Sequence, residues 1–210
     1  MTRAVIFDLG RVLVPFDFGR AYARIEALSG IPASEIPGRI LPGGLVQKFE
    51  SGEIEAEDFF RQVSKMCGIG ISFAEFDEIW NSIFLPDTLI PEALVEDLAK
   101  RYRLILLSNT NSLHFEMLRA NYPILRHFHS LVLSYEVGAM KPAATIYRKA
   151  VEEAGCRPEE CFFTDDVAAF VEGARELGID AVQFVSLAQL EVELRRRGIL
   201  AGPGESLVDS

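Results

Sequence analysis

The sequence predicts an α/β fold, a doubly wound parallel sheet with an all-helical insertion after its first strand. Short apolar segments of strand composition recur along the chain, and from residue 91 to residue 197 helical patterns separate them. That alternation is typical of a parallel sheet covered by helices on both faces. Between residues 16 and 88, in contrast, helical patterns follow one another without a convincing strand.

The first strand is predicted at residues 4–7, an apolar run rich in β-formers that stops at Asp8 and Gly10. A brief apolar run with a glycine at its boundary favours a buried strand over a helix. Four later segments share this composition: residues 103–109, 130–134, 160–166 and 180–185.

The helices between these strands carry recognisable start and stop signals. Residues 91–101 begin with a proline and end in basic residues, and residues 142–154 begin with Pro142 and stop at Gly155. Residues 168–177 stop at Gly178. Proline is favoured in the first turn of a helix and glycine just beyond its end, so each segment predicts a helix.

The insertion has four helical segments, at residues 18–30, 33–40, 44–68 and 72–84. Its position places it above the carboxyl ends of the strands, where open α/β sheets bind ligands. We therefore predict a core of residues 1–15 and 86–210 and a helical cap of residues 16–85. A set of apolar residues is expected to form the cap's own small core: Phe49, Ile54, Phe59, Phe60, Val63, Phe73, Phe76, Ile79 and Trp80. The final segment, residues 202–210, is predicted to be a loose tail because it has turn-formers and little to bury.

Composition narrows the possible partners. The net charge of −10, from 31 acidic and 21 basic residues, argues against a nucleic-acid partner, which requires a basic face. No apolar run approaches the length that spans a membrane. The three cysteines are odd in number and lack metal-site spacing, which favours idle thiols in a reducing compartment. We therefore expect a cytoplasmic protein.

Polar residues stand where three of the predicted strands end: Asp8, the run from Ser108 to Asn111, and Asp165 with Asp166. In a doubly wound sheet these ends converge on one crevice. Like charges about 4 Å apart, at an effective dielectric constant of about 20, repel by about 4 kcal/mol for each pair. Either the carboxyl groups protonate or a cation lies among them, and a cluster of oxygen ligands suits Mg²⁺.

Lys141 completes the predicted cluster as a compact charge able to neutralise Asp8 and contact a phosphate. Each residue alone has a simpler interpretation. Asp8 is compatible with a turn, Asp165 and Asp166 with a helix cap, and Lys141 with a surface lysine before a turn. The combination, at one edge of one sheet, favours a site.

These motifs resemble those of the haloacid dehalogenase-like (HAD) hydrolases, in the branch with a helical cap after the first motif. The four motifs are VIFDLGRVLV with Asp8, ILLSNTN with Ser108, GAMKP with Lys141, and FFTDD with Asp165 and Asp166. The chain looks most similar to the sugar-phosphate phosphatases of this branch and to the N-terminal phosphatase domain of soluble epoxide hydrolases. The resemblance implies a Rossmann-like core and a Mg²⁺-dependent phosphohydrolase acting on a small phosphorylated substrate.

The resemblance also implies catalytic roles. Asp8 matches the nucleophile that forms an aspartyl-phosphate. Ser108 and Lys141, with backbone amides near Leu9 and Asn109, would bind the equatorial oxygens of the transferring phosphoryl group.

The implied metal ligands are the Asp8 carboxylate, the backbone carbonyl of Gly10, and Asp166. Asp165 is expected to act through a water. The cap would close over the crevice, exclude water and select the leaving group.

The sequence departs from the family pattern at Gly10, where most phosphatases of the family carry a second Asp that serves as general acid and base. Loss of such a group typically costs about 10²–10⁴ in rate. Asp17 and His114 are the only nearby candidates for a substitute, although a turn residue and a helix-surface histidine are the simpler interpretations. A leaving group that needs little protonation, slow turnover, or binding without turnover would also account for Gly10.

Three rival functions stay open. A 2-haloacid dehalogenase would use the same nucleophile, but such members need no metal, so the Asp165–Asp166 pair favours phosphoryl transfer. A phosphomutase would need the missing acid/base. For a non-catalytic domain that binds phosphate ligands, Gly10 is the best evidence, whereas the intact Asp8, Lys141 and acidic pair argue against it. A sugar phosphate is the favoured substrate, because a helical cap leaves limited room above the site.

Overall fold

The computed structural model describes residues 1–201, so the tail predicted at residues 202–210 lies outside the described residues. Five strands form one parallel sheet in the order β3-β2-β1-β4-β5. The strands are β1 (Ala4–Phe7), β2 (Arg103–Ser108), β3 (Ser130–Leu133), β4 (Cys161–Asp165) and β5 (Asp180–Gln183). The central strand is β1, with β2 and β3 added on one side of it and β4 and β5 on the other. The predicted fold class is confirmed.

Alternation along each strand divides the core into two apolar layers. Val5 and Phe7 face one layer, and Ala4 and Ile6 face the other. Successive side chains of a strand point to opposite faces, so a strand buried on both faces is apolar throughout, as β1 is. Helices cover both faces: α6 (Glu92–Ala99), α7 (Ser112–Asn121), α8 (Ser134–Val137), α9 (Ala144–Ala154), α10 (Ala168–Arg175) and α11 (Leu187–Arg196).

Between β1 and α6 the described chain forms helices joined by short connections, with isolated β-bridges at Gly10–Val14 and Phe16–Phe84. The helices are α1 (Phe18–Ser29), α2 (Ile36–Ile40), α3 (Leu45–Glu50), α4 (Ala56–Cys67) and α5 (Phe73–Asn81). They enclose a third apolar cluster that contains Phe49, Phe59, Phe76 and Trp80. The division at residues 15 and 86 stays a prediction. We propose it because this cluster is formed almost wholly by the inserted helices.

Several predicted helix and strand boundaries differ from the structure by up to three residues. The segment 44–68 contains two helices, α3 and α4, because Gly52 adopts a left-handed backbone (φ 73°) that ends the first of them. The helix predicted from Pro142 begins at Ala144. No helix within residues 1–201 has the length and apolar character needed to cross a lipid bilayer.

Candidate active site

Asp8, Lys141 and Asp165 form a buried ionic group at the carboxyl end of the sheet. The Lys141 Nζ atom lies 2.6 Å from Asp8 Oδ1 and 2.5 Å from Asp165 Oδ2, and it also donates to the Leu107 carbonyl at 3.1 Å. Asp8 and Asp165 directly follow Phe7 and Thr164, which are paired in the sheet, so their proximity results from strand register. Lys141 reaches them from the loop before α9.

Burial controls the charges of this group. Desolvation raises the pKa of Asp8 to about 7, and the Asp165 charge adds to the rise, while Lys141 and the backbone of Leu9 oppose it. For Lys141, burial disfavours the ammonium, but Asp8 and Asp165 outweigh that effect and raise its pKa. The lysine therefore stays charged and neutralises only part of the carboxylate charge around it.

The donor set fits a divalent cation. Asp8, Asp165 and Asp166 each offer a carboxylate oxygen within 4.8 Å of the others. With all three ionised, one lysine leaves a net charge of about −2 at this edge, which a hard cation such as Mg²⁺ would offset. Burial and the Asp165 charge raise the pKa of Asp166, as expected where carboxyl groups crowd together.

Asp165 and Asp166 are differently placed. Asp165 is fully buried, contacts Lys141 and accepts a hydrogen bond from the Val167 backbone N–H at 2.9 Å. Asp166 is half-buried, and among residues 1–201 its side chain makes no hydrogen bond or ion pair with Lys141, which leaves its carboxylate available for a metal. Neither residue is the N-cap of α10, which is Val167. The capping interpretation is therefore wrong for this pair.

The loop after β2 positions Lys141. Asn109 accepts a hydrogen bond from the Lys141 backbone N–H at 2.8 Å and donates to its carbonyl at 3.1 Å. Ser108, the buried last residue of β2, directly precedes Asn109. Thr110 is held by the buried hydroxyl of Ser134, which accepts from the Thr110 N–H at 2.9 Å and donates to its carbonyl at 3.0 Å. The Asn109 side chain thus has a role that sequence reasoning missed.

Gly10 lies in a tight turn whose space is occupied by Phe16. A Cβ atom at Gly10 would lie 2.7 Å from Phe16 Cε1, closer than real Cβ contacts allow. The next residue, Arg11, has a left-handed backbone (φ 57°), and its guanidinium lies 4.9 Å from the centre of the Phe16 ring. The aromatic ring therefore fills the position from which a second Asp would project.

Both predicted substitutes for the missing acid are engaged in other contacts, and the two ring nitrogens of His114 lie against the Asn111 amide and the Trp80 carbonyl. Asp17 is the exposed N-cap of α1 and accepts from the Gly19 N–H at 2.8 Å. His114 is buried, which corrects the surface interpretation, and its ring stacks on Trp80 at 5.6 Å. Desolvation lowers the pKa of His114 to about 4, so the ring is neutral near pH 7.

A cavity of about 70 Å³ lies between the inserted helices and the sheet edge. Its lining combines motif residues with aromatic and aliphatic side chains: Leu9, Gly10, Phe16, Phe18, Glu50, Ile83, Phe84, Ser108, Asn109, Thr110, His114 and Leu118. A larger surface hollow of about 570 Å³ lies between α6 and α11 and contains none of the predicted site residues. The smaller cavity contains the motif residues and is therefore the candidate substrate site.

Known proteins match along most of the chain. D-ribitol-5-phosphate phosphatase from Bacteroides thetaiotaomicron is 28% identical and covers 87% of this chain and 92% of its own. Phosphatase MT3486 from Mycobacterium tuberculosis is 28% identical and covers 85% of each chain.

A solved structure shares this fold closely. It is a HAD family enzyme from B. thetaiotaomicron in complex with magnesium and inorganic phosphate, with a TM-score of 0.80 and 28% identity over 89% of this chain and 96% of that one. The family model for haloacid dehalogenase-like hydrolases matches residues 2–178. This chain belongs to the haloacid dehalogenase-like hydrolases.

Proposed function

We propose that this chain is a Mg²⁺-dependent phosphohydrolase that acts on a small phosphorylated metabolite through an aspartyl-phosphate on Asp8. The observation that carries the proposal is the buried Asp8 carboxylate, held by Lys141 beside the acidic pair Asp165–Asp166. A carboxylate fixed in this way is suited to nucleophilic attack.

Phosphatase is the enzyme class that the family and the named relatives support. The magnesium and phosphate in the similar structure support the same cofactor here. The ribitol phosphate of the first relative is a polyol phosphate, and we propose a substrate of this general kind, with sugar phosphates favoured.

Asp8 would attack the phosphorus in line and displace the leaving group, forming an acyl phosphate on its side chain. Lys141, Ser108 and the backbone N–H groups of Leu9 and Asn109 would bind the equatorial oxygens, where negative charge lies in the transition state. Water would then attack the phosphorus of the intermediate and release Asp8 and inorganic phosphate. Asn109 contributes further by fixing the backbone of Lys141.

Asp8, Asp166 and the Gly10 carbonyl would hold the metal, with Asp165 behind them. Bound Mg²⁺ would supply charge stabilisation for the phosphoryl oxygens. Asp165 accepts from Lys141 and from the Val167 N–H, so its carboxylate is already committed to positioning.

Gly10 supports one alternative, a domain that binds phosphate ligands without turnover. Gly10 cannot transfer a proton, Asp17 caps a helix, and His114 is neutral near pH 7. The intact Asp8–Lys141–Asp165 group favours catalysis, because ligand binding alone does not require a nucleophile at the strand end.

Hydrolysis of p-nitrophenyl phosphate with Mg²⁺ and with EDTA tests the proposal. We expect metal-dependent release of phosphate that Asp8→Asn reduces at least a thousandfold, since the amide cannot form the intermediate. Magnesium-dependent binding of inorganic phosphate with no turnover on a broad panel of phosphate esters would favour the binding domain instead. Chloride release from a 2-haloacid, independent of metal, would favour a dehalogenase.

A further inference from the structure

Glu50 brings a carboxyl group from the inserted helices into the candidate active site. It is the last residue of α3 and lines the same cavity as Gly10 and Ser108. The motif residues approach this cavity from the sheet, whereas Glu50 approaches it from the opposite side. The leaving group of a substrate whose phosphate lay at Asp8 would extend toward this side.

Two anchors fix the position of Glu50. The preceding residue, Phe49, is buried and stacks on Phe59 with ring centres 4.5 Å apart. Two residues later, Gly52 packs so closely on the backbone of α8 that an added Cβ would clash with the Tyr135 carbonyl oxygen. The backbone on both sides of Glu50 is therefore held, one side by the cap core and the other by the sheet domain.

The Glu50 side chain is half-buried at the wall of this cavity. Desolvation raises its pKa to about 7, and no neighbouring charge or hydrogen bond contributes to the shift. Within residues 1–201 no hydrogen bond or ion pair to this carboxyl is found. A partly desolvated carboxyl gains from a hydrogen-bond partner, and the position of Glu50 on the cavity wall lets a bound ligand supply one.

The other polar groups of the cavity are uncharged. Ser108, Asn109 and Thr110 carry hydroxyl and amide groups, and His114 is neutral near pH 7. Phe16 and Phe84 form an apolar part of the cavity wall. A neutral leaving group with hydroxyls suits such a lining, whereas a second anionic group would meet the Glu50 carboxyl.

We propose that Glu50 is a specificity-determining residue that hydrogen-bonds a hydroxyl of the leaving group and so selects polyol-type phosphates over alkyl phosphates. This inference rests on the proposed phosphohydrolase function. A substrate that lacks this hydroxyl would cover the Glu50 carboxyl without pairing it, and that desolvation cost is the source of discrimination.

The test compares kcat/KM for glycerol phosphate and n-propyl phosphate, which have the same carbon chain and differ by two hydroxyls. The wild type is expected to prefer glycerol phosphate, and Glu50→Leu is expected to lower that preference about tenfold, the worth of one hydrogen bond. Glu50→Gln, which can still hydrogen-bond, should retain part of it. Glu53→Leu, an exposed glutamate of the same turn, is the matched control and should keep the wild-type ratio.

The outcomes separate this inference from the proposed function. Metal-dependent hydrolysis of p-nitrophenyl phosphate with an unchanged substrate ratio in Glu50→Leu would overturn the role of Glu50 and leave the phosphatase intact. No turnover of any ester by the wild type would overturn the function itself. If the wild type preferred 3-aminopropyl phosphate to glycerol phosphate and Glu50→Leu lost that preference, Glu50 would recognise an ammonium group. That result would overturn the assignment of Glu50 to a hydroxyl.

Discussion

The Asn109 side chain forms a two-bond clamp on the backbone of Lys141, accepting from its N–H and donating to its carbonyl. The two residues are 32 positions apart in sequence, so the clamp ties the loop after β2 to the loop that carries the lysine. The ammonium reaches Asp8 and Asp165 only if this backbone is in place.

Asn109→Ala is therefore expected to lower kcat about tenfold or more and to reduce the free energy of unfolding by about 1–3 kcal/mol, the cost of leaving buried partners unsatisfied. Steady-state hydrolysis and urea unfolding measure the two effects. Asn121→Ala, which removes an exposed amide bound to the Met117 carbonyl, is the matched control. Equal kcat in both variants would contradict a positioning role for Asn109.

Gly10 and Phe16 are predicted to be energetically coupled. Gly10→Ala places a methyl group 2.7 Å from the Phe16 ring and is expected to cost about 1–3 kcal/mol of stability. In a Phe16→Leu background the same change should cost less, because the clash is relieved. A double-mutant cycle by urea unfolding measures the coupling, and Gly38→Ala, with open space at its Cβ, is the control. An additive cycle would show that the ring does not limit this position.

Asp166 is predicted to set the affinity for magnesium. Asp166→Asn removes an anionic ligand at the half-exposed side of the cluster, so the Mg²⁺ concentration for half-maximal activity should rise about tenfold or more. A titration of activity with Mg²⁺ measures the change, and Asp87→Asn, an exposed aspartate, is the control. An unchanged titration would place the metal elsewhere.

His114 is predicted to make stability depend on pH. Its folded pKa of about 4 lies below the ordinary value of 6.5, so between these values the unfolded chain binds more protons. Above pH 6.5 the neutral ring leaves the free energy of unfolding unaffected by pH. As the pH drops toward 4, His114 lowers the free energy of unfolding by up to about 1.4 kcal/mol per pH unit. His114→Gln should remove this slope in urea unfolding measured across that window. A slope equal to that of the wild type would mean that the ring titrates normally.

The sequence predicted the sheet and the carboxylate cluster because both depend on local signals. Asp8 and Asp165 end apolar runs, and parallel strands bring their carboxyl ends to one edge of the sheet. The proximity of the two carboxylates could therefore be inferred from the sequence. The helix and strand boundaries shifted by up to three residues, since the last turn of an element depends on its neighbours.

Contacts between segments that are far apart in sequence could not be predicted from local signals. The Asn109 clamp depends on how two loops approach, and the burial of His114 depends on Trp80 packing against it. Glu50 gave only one usable signal, the Ser51–Gly52 pair that ends its helix, which does not indicate the direction of its side chain. The cap residues that contact a substrate are therefore found only when the inserted helices are placed over the sheet.

The Phe16 ring over Gly10 limits which substitutions at position 10 can arise in evolution. An Asp at position 10 is the residue most of the family uses, yet a chain that acquired it here would lose folding stability before it gained a proton donor. Natural proteins have little stability to spare, so selection would remove that single step unless Phe16 had changed first. The order of substitutions is thereby constrained, and descendants of this sequence are expected to keep glycine and the aromatic ring together.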